Sequence, residues 1–261
     1  MPSIDQNLDA WSRHNWEHGG DEWSAGWGNV RMQWWGTLFP RIYPFLPAPT
    51  ILEIAPGHGR FTQFLLGQCR RFVGVDIAEN CVEACHRRFA GAAHASFFVN
   101  DGRAFPTVHA GSVDFAFSFD SLVHVDPETM RAYCHELRRV LAPDGVAFLH
   151  HSNLGAYAAT VDLSQPGHNP HWRDVTMSAD RMLDGCRDAG LGCIAQELLV
   201  WGGVDTDPLS DCLSVLTPPG SRFARPLRRW ENPRFGAEVH HLGELARVYH
   251  GQAENPAIAS A

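Results

Sequence analysis

The chain contains no lysine: all 21 of its Lys and Arg residues are arginine. A lysine Schiff base or a lysine general base is therefore excluded. Long apolar runs are also missing. No uncharged stretch approaches the about 18–20 residues needed to cross a bilayer. The opening MPSIDQNLDAWSRHNW lacks the basic-then-apolar plan of a secretory signal, so a cytoplasmic location is expected. Seven cysteines are present with no CxxC pair, which argues against a disulfide or zinc framework. Reduced, buried thiols are expected, and Cys81 and Cys85, one helical turn apart, read as small packing residues. Positive charge is in short supply too. A formal charge of −8 argues against nucleic acid or an anionic membrane as partner.

What is there suffices for a folded core. The 261 residues are 44% hydrophobic and 19% charged, enough for one α/β domain with additions and incompatible with global disorder. Six of the nine tryptophans (Trp11, Trp16, Trp23, Trp27, Trp34 and Trp35) crowd into residues 1–49. That segment reads as an aromatic cap or lid. Its indoles either complete the core or cover a ligand, with Trp34 or Trp35 as candidates to close over it. From Thr50 the pattern becomes strand, turn and helix: TILEIA, RFVGVDI, SFFV, SVDFAFSF, VAFLHHSN, CIAQELLVW and DCLSVLTP read as strands. Asp126 and Pro127 open a helix whose apolar face is Met130, Tyr133, Cys134, Leu137 and Leu141. Ser178 and Gly190 bracket another. Alternation of this kind demands a mostly parallel sheet with helices on both faces, and the last two strands, lacking a helix between them, form an antiparallel pair. Residues 50–218 read as this domain, with an insertion at about 154–177, and 219–261 as an extension, weakly helical around Gly243–Tyr249 and frayed at its last residues.

The sharpest chemical signal is Glu53-Ile-Ala55-Pro-Gly57-His-Gly59-Arg directly after the first strand. Glycines there let the backbone turn tightly against a ligand. Asp76 ends the second strand, where a carboxylate can accept both hydroxyls of a ribose, or else cap the next helix. Asn100-Asp101-Gly102 follows the third strand and can meet an adenine edge. Position 62 is threonine rather than the third glycine of a dinucleotide loop. A nucleoside without pyrophosphate therefore fits better than a nicotinamide dinucleotide, and a reductase is the remote alternative.

As a set, ILEIAPGHGRF, VGVDI, NDG, VDFAFSFDSLVHV and LAPDGVAFLHHSN resemble the successive motifs of class I S-adenosylmethionine-dependent methyltransferases, and in detail the bacterial small-molecule type. The resemblance implies a three-layer Rossmann-like fold with a seven-stranded sheet in the order 3-2-1-4-5-7-6, strand 7 antiparallel. It implies S-adenosylmethionine as cofactor and S-adenosylhomocysteine as product. It places Gly57 and Gly59 beside the methionine part, Asp76 on the ribose and Asp101 on the adenine amino group. Ile77 and Gly102 would line the adenine, and Phe119 would pass near the sulfonium. Glu53, Ala55 and Asn100 belong to the same loops. Ala55 stands where the family more often has glycine, so a slightly altered loop is expected.

Substrates of such sheets meet the cofactor at the carboxyl ends of the strands. Candidates there are Asp120 and His124 after the fourth strand, and His150, His151 and Asn153 at the end of the fifth. The leading expectation is methyl transfer to a hydroxyl of a small, sugar-like acceptor, with His151 or His124 as base and His150 as an alternative. Adjacent strand residues face opposite ways, so His150 and His151 are not expected to share a site. N-methylation of a small amine is the other reading. The stretch SQPGHNPHWRD, with His168, His171 and Trp172, reads as an acceptor lid. A divalent cation on Asp120 with one or two of His124, His150, His151 and His171 is a candidate cofactor, although no compact ligand spacing supports it. His240 and His241 read as solvent-facing or interface residues, and RFARPLRRW as a surface for a partner subunit in a homo-oligomer.

Overall fold

A computed structural model describes residues 3–163, 169, 171–201 and 208–250. His168 and the last residues, 251–261, lie outside the described residues. The chain opens with α1 (Ile4–Arg13), started by a capping box: the Ser3 hydroxyl accepts from the Gln6 amide while the Gln6 side chain accepts from Ser3 N–H. A 3-10 stretch (Asp21–Trp27), α2 (Val30–Met32), a π turn (Gln33–Leu38) and α3 (Phe39–Ile42) follow.

The sheet then builds through β1 (Thr50–Ile54), α4 (Thr62–Leu65), β2 (Arg71–Asp76), α5 (Glu79–Arg88), β3 (Ala95–Val99) and β4 (Val113–Ser118). Its second half is α6 (Pro127–Val140), β5 (Leu141–Ser152), α7 (Ala179–Ala189), β6 (Gly192–Leu199), β7 (Asp211–Thr217), β8 (Arg228–Asn232) and α8 (Phe235–His250). The caps of α6 and α7 are those read from sequence. Asp126 accepts from Thr129 N–H, Ser178 accepts from Arg181 N–H, and left-handed Gly190 ends α7. The apolar stripe of α6 ends one residue earlier than expected, because Leu141 already opens β5.

The strand order is β3-β2-β1-β4-β5-β7-β6-β8. It contains the expected seven-strand order, with β7 antiparallel to β5 and β6. The eighth strand was not foreseen. It pairs parallel with β6 and extends the sheet by one edge. The extension read as weakly helical also holds a longer helix than expected, α8 over Phe235–His250.

Period-two alternation divides the core. Ile51, Phe72, Phe115, Phe117 and Phe148 face one layer, with Trp27, Trp34, Leu38, Ile42 and Phe235 packed on them. Leu52, Ile54, Val73, Val75, Ala116 and Leu149 face the other, against the buried stripes of α6 and α7. Trp34 stacks on Phe64 inside the first layer and Trp35 points outward, more than half exposed, so neither covers a ligand. All seven cysteines are free thiols. Among the described residues no helix is long and apolar enough to cross a membrane.

Candidate active site

A cleft of about 910 Å³, counted with its open mouth, lies at the carboxyl ends of β1, β2 and β4. The segment Ile4–Trp23 forms the roof: Ile4, Asn7, Trp11, Trp16 and Trp23 all line the cleft. Thus the aromatic segment both completes the core, through Trp27 and Trp34, and covers a cavity, through three other indoles. Asn7 fastens the roof to the far wall, its Nδ2 donating to the carbonyl of His124 at 3.1 Å.

The loop after β1 forms the floor. Ala55 has φ +56, the left-handed conformation a glycine takes without strain, and its N–H donates to the Val75 carbonyl at 2.7 Å. The backbone thus keeps the glycine-like turn despite the extra methyl. Ala55→Gly is expected to raise stability by about 0.5–1 kcal/mol, the relief of strain exceeding the added freedom of the unfolded chain. A urea midpoint at or below that of the wild type would contradict this. Gly57 (φ +57) has no room for a side chain, since a β-carbon would stand 2.8 Å from the Trp16 ring. Trp16 in turn stacks on His58 at 4.4 Å.

Asp76 ends β2 and is nearly buried. Its carboxylate accepts from Gly57 N–H and Ala78 N–H, both at 3.0 Å. It therefore ties two loops, whereas the capping position of α5 belongs to Ala78, which offers no side-chain cap. Burial pushes its carboxyl up to about 6, with the Ala78, Gly57 and Ile77 amides pulling the other way. Glu53 is buried deeper. Its carboxyl is pushed up to about 8 by burial, against the Thr62 hydroxyl that donates to it and the nearby Arg60 charge. Glu53 is thus largely protonated at neutral pH.

Of the residues expected around a cofactor, Glu53, Ala55, Gly57, Asp76, Ile77, Gly102 and Phe119 line the cleft. Gly59, Asn100 and Asp101 do not. Gly59 instead gives Phe89 room to approach the backbone. The Asp101 carboxylate closes its own loop onto the amides of Arg103 and Ala104, at 2.8 Å each.

Of the candidates near the acceptor, only Asp120 lines the cleft. It sits in the left-handed region (φ +61) and pairs with Arg60, Oδ2 to Nη2 at 2.9 Å. Its backbone N–H donates to His150 Nδ1 at 3.1 Å. His150 is fully buried between Phe119 and Trp201, with Nε2 2.8 Å from the Asp211 carboxylate. Because Nδ1 accepts, the ring proton lies on Nε2 and points to Asp211. His151 faces the other way, as strand alternation requires, but is buried as well. Its Nε2 meets the Ser214 hydroxyl and its Nδ1 the Ser152 carbonyl. Burial lowers it to about 4. Neither ring reaches the cleft. Asn153 is also withdrawn, its side chain bonded to the Leu209 carbonyl and the Ala179 amide.

His124 stands next to the cleft between Leu122 and Val125, both of which line it. Its ring packs on Trp11 and Trp172, and its Nδ1 lies 2.9 Å from the Trp172 carbonyl. A carbonyl only accepts, so Nδ1 carries the proton and Nε2 a lone pair. Burial lowers the basicity of this histidine. Trp172 comes from the insertion expected to act as a lid; His171 beside it is exposed.

Residues without an assigned role in the sequence reading complete the wall. Arg60 lies over the Trp23 and Phe61 rings, and its Nη1 is buried without a protein partner. Asn7 Oδ1 and Thr129 Oγ1, on the same cleft, are likewise unpartnered. Buried polar atoms are rarely left this way unless a ligand or water meets them. Among the described residues no group of three or more His, Cys, Asp or Glu could hold a metal ion.

Residues 51–145 match the family model described as a methyltransferase domain. No curated protein matches the chain. Among solved structures, the PH0226 protein from Pyrococcus horikoshii OT3 is 22% identical, with a TM-score of 0.55, over 72% of this chain and 90% of its own. The glycopeptide N-methyltransferase MtfA, complexed with S-adenosylmethionine, is 18% identical with a TM-score of 0.52, over 71% and 87% of the two chains. The N-methyltransferase NodS from Bradyrhizobium japonicum WM9 is 19% identical with a TM-score of 0.51, over 70% and 94%. At these identities the likeness establishes the fold.

Proposed function

We propose that the chain is a class I S-adenosylmethionine-dependent methyltransferase, a reading supported by the methyltransferase-domain match over residues 51–145, and that it methylates a hydroxyl of a small polar acceptor, with His124 as the base. The observation that carries this reading is the His124 ring: its Nδ1 is fixed by the Trp172 carbonyl, which leaves Nε2 as an acceptor, on a residue whose neighbours Leu122 and Val125 line the cleft.

The cleft suits the cofactor. It offers a glycine cradle at Gly57, a carboxylate at Asp76 and unpartnered polar atoms on Arg60, Asn7 and Thr129. In this reading Asp76 accepts from the ribose hydroxyls, Ile77 and Gly102 flank the adenine, and Arg60 Nη1 faces the methionine carboxylate. Phe119 lies near the sulfonium. Asp101 sets the Gly102 turn from outside the cleft.

When bound, S-adenosylmethionine supplies a methyl group on a sulfonium, open to in-line attack by a nucleophile. His124 would take the acceptor's hydroxyl proton on Nε2 as the oxygen–carbon bond forms and the sulfur–carbon bond breaks, its electron pair staying on the sulfur of the departing S-adenosylhomocysteine. The Trp172 carbonyl holds the ring, and Trp11 with Trp172 excludes water from it. Asp120, steadied by Arg60, orients a second hydroxyl of the acceptor.

Because burial lowers His124, the base is already neutral across neutral pH. The rate is expected to stay flat there and to fall only below the ordinary histidine value of about 6.5. His124→Asn should lower kcat by roughly 10²–10⁴-fold while leaving S-adenosylhomocysteine affinity unchanged. An acceptor screen over glycosides and amines, read by methyl incorporation, supplies the substrate for these profiles.

A second reading, N-methylation of a small amine, has one observation in its favour: among the described residues no histidine ring lines the cleft itself. A neutral amine attacks without a base, and its proton leaves to water afterwards. Turnover surviving His124→Asn on an amine acceptor would select this reading and dismiss the hydroxyl one.

A further inference from the structure

The unforeseen strand β8 is one of the two edges of the sheet: β6 pairs with one side of it, and among the described residues no strand covers the other. Four of its five residues are exposed, and Trp230 retains 59% of its surface. An open edge is a row of unmet backbone groups, and charged side chains normally guard it. Here the charges do not share one sign. They change sign across a tryptophan, in the order Arg228, Arg229, Trp230, Glu231, Asn232.

That order distinguishes the ways in which two copies of the strand can meet. A two-fold axis normal to the sheet pairs the strands antiparallel and sets one residue opposite itself. Centring on Arg229 or on Glu231 would put like charges directly opposite, which is unfavourable. Centring on Trp230 sets Arg229 opposite Glu231 twice, Arg228 opposite Asn232 twice and the two indoles against each other. Every cross-strand pair is then neutral, aromatic or of opposite charge.

We propose that β8 is the interface for a second copy of this chain, joined antiparallel about Trp230, so that the sheet continues across the two-fold. The charge order of the edge selects both the partner and the register. Arg229 also bonds Asp180 and Gln196 within its own chain, which steadies its position on the strand. The inference does not depend on which acceptor is methylated.

Sedimentation velocity over a concentration series of the full chain tests it. The wild type is expected to show a monomer–dimer equilibrium. Glu231→Arg places two like-charged pairs across the axis and should weaken the dimer about tenfold or more. Arg229→Glu, which sets glutamate against Glu231, should be equally weak alone. Mixing Glu231→Arg chains with Arg229→Glu chains restores opposite charges at both pairs and should yield a heterodimer. Unchanged S-adenosylhomocysteine binding verifies that each variant is folded. A wild type that stays monomeric throughout, or a Glu231→Arg chain that dimerises like the wild type, overturns the proposal. So does failure of the folded variants to associate when mixed.

Discussion

Asp76→Ala is expected to weaken S-adenosylhomocysteine binding by roughly 100-fold or more. The proposed ribose contact consists of two hydrogen bonds to a carboxylate, worth about 1.5–3 kcal/mol each. The same substitution frees the Gly57 and Ala78 amides that the carboxylate now holds, so the glycine loop loses its anchor as well. A pH dependence accompanies the effect. Burial pushes this carboxyl up to about 6 in the folded protein. Hydroxyl donors favour the ionised form, so affinity should fall as pH drops through that value. Because the folded pKa is raised, ionisation of Asp76 opposes folding: the cost is absent below the ordinary aspartate range and grows as pH rises toward about 6. Calorimetric titration of wild type and variant over pH 5–8 measures both effects. An affinity in Asp76→Ala within a few-fold of the wild type would remove the basis for the nucleoside assignment.

Arg173→Met should produce the largest loss of stability. Arg173 grips both carboxylate oxygens of Asp211 through two nitrogens, and His150 meets Asp211 Oδ2 as well; all three side chains are buried. Removing the guanidinium leaves a carboxylate in the core with only an imidazole beside it, a change worth about 3–5 kcal/mol. For a chain of this size that corresponds to roughly 10 °C in Tm. Burial alone would raise the Asp211 carboxyl, but Arg173, with His150, holds it well below the usual carboxylate range. The depressed value contributes stability above the ordinary aspartate pKa, and this is lost as pH falls through the folded one. The variant should therefore lose most at neutral pH and show a smaller deficit in acid. Urea unfolding at pH 7 and pH 4 makes the comparison. Equal midpoints for the two chains at pH 7 would show that the buried pair contributes nothing net.

Much of the sheet was legible because its strands obey simple periodicity. Ile51 and Leu52, or Phe72 and Val73, part to opposite faces as alternation dictates, and the caps of α6 and α7 follow from single residues. β8 was not legible for the converse reason. An edge strand exposed along most of its length needs no apolar alternation, and RRWEN has none. The glycine loop and Asp76 could be placed because each stands at a strand end. The roof could be assigned only as a segment. Beyond α1, which carries Trp11, it runs through turns and the Asp21–Trp27 3-10 stretch, which break the 3.6-residue period, so no helical face separates Trp16 and Trp23 from the core indoles. His150 and His151 show a different limit. Their opposite orientations followed from the strand, but their depth depends on β4 and β7 lying on either side of β5 and layers covering both faces. Arg173 and Asp211 are 38 positions apart, and no local pattern announces their union.

The Asn7–His124 tether gives the roof an energetic meaning. The stretch from Ile4 to Trp23 contributes no strand, so its order rests on what it packs against. A nucleoside seated beneath it supplies additional footing, and part of its intrinsic attraction is consumed in holding that stretch still. The dissociation constant therefore understates the grip of the floor. Ligands that share the same floor contacts can differ in affinity solely through how well they prop the cover.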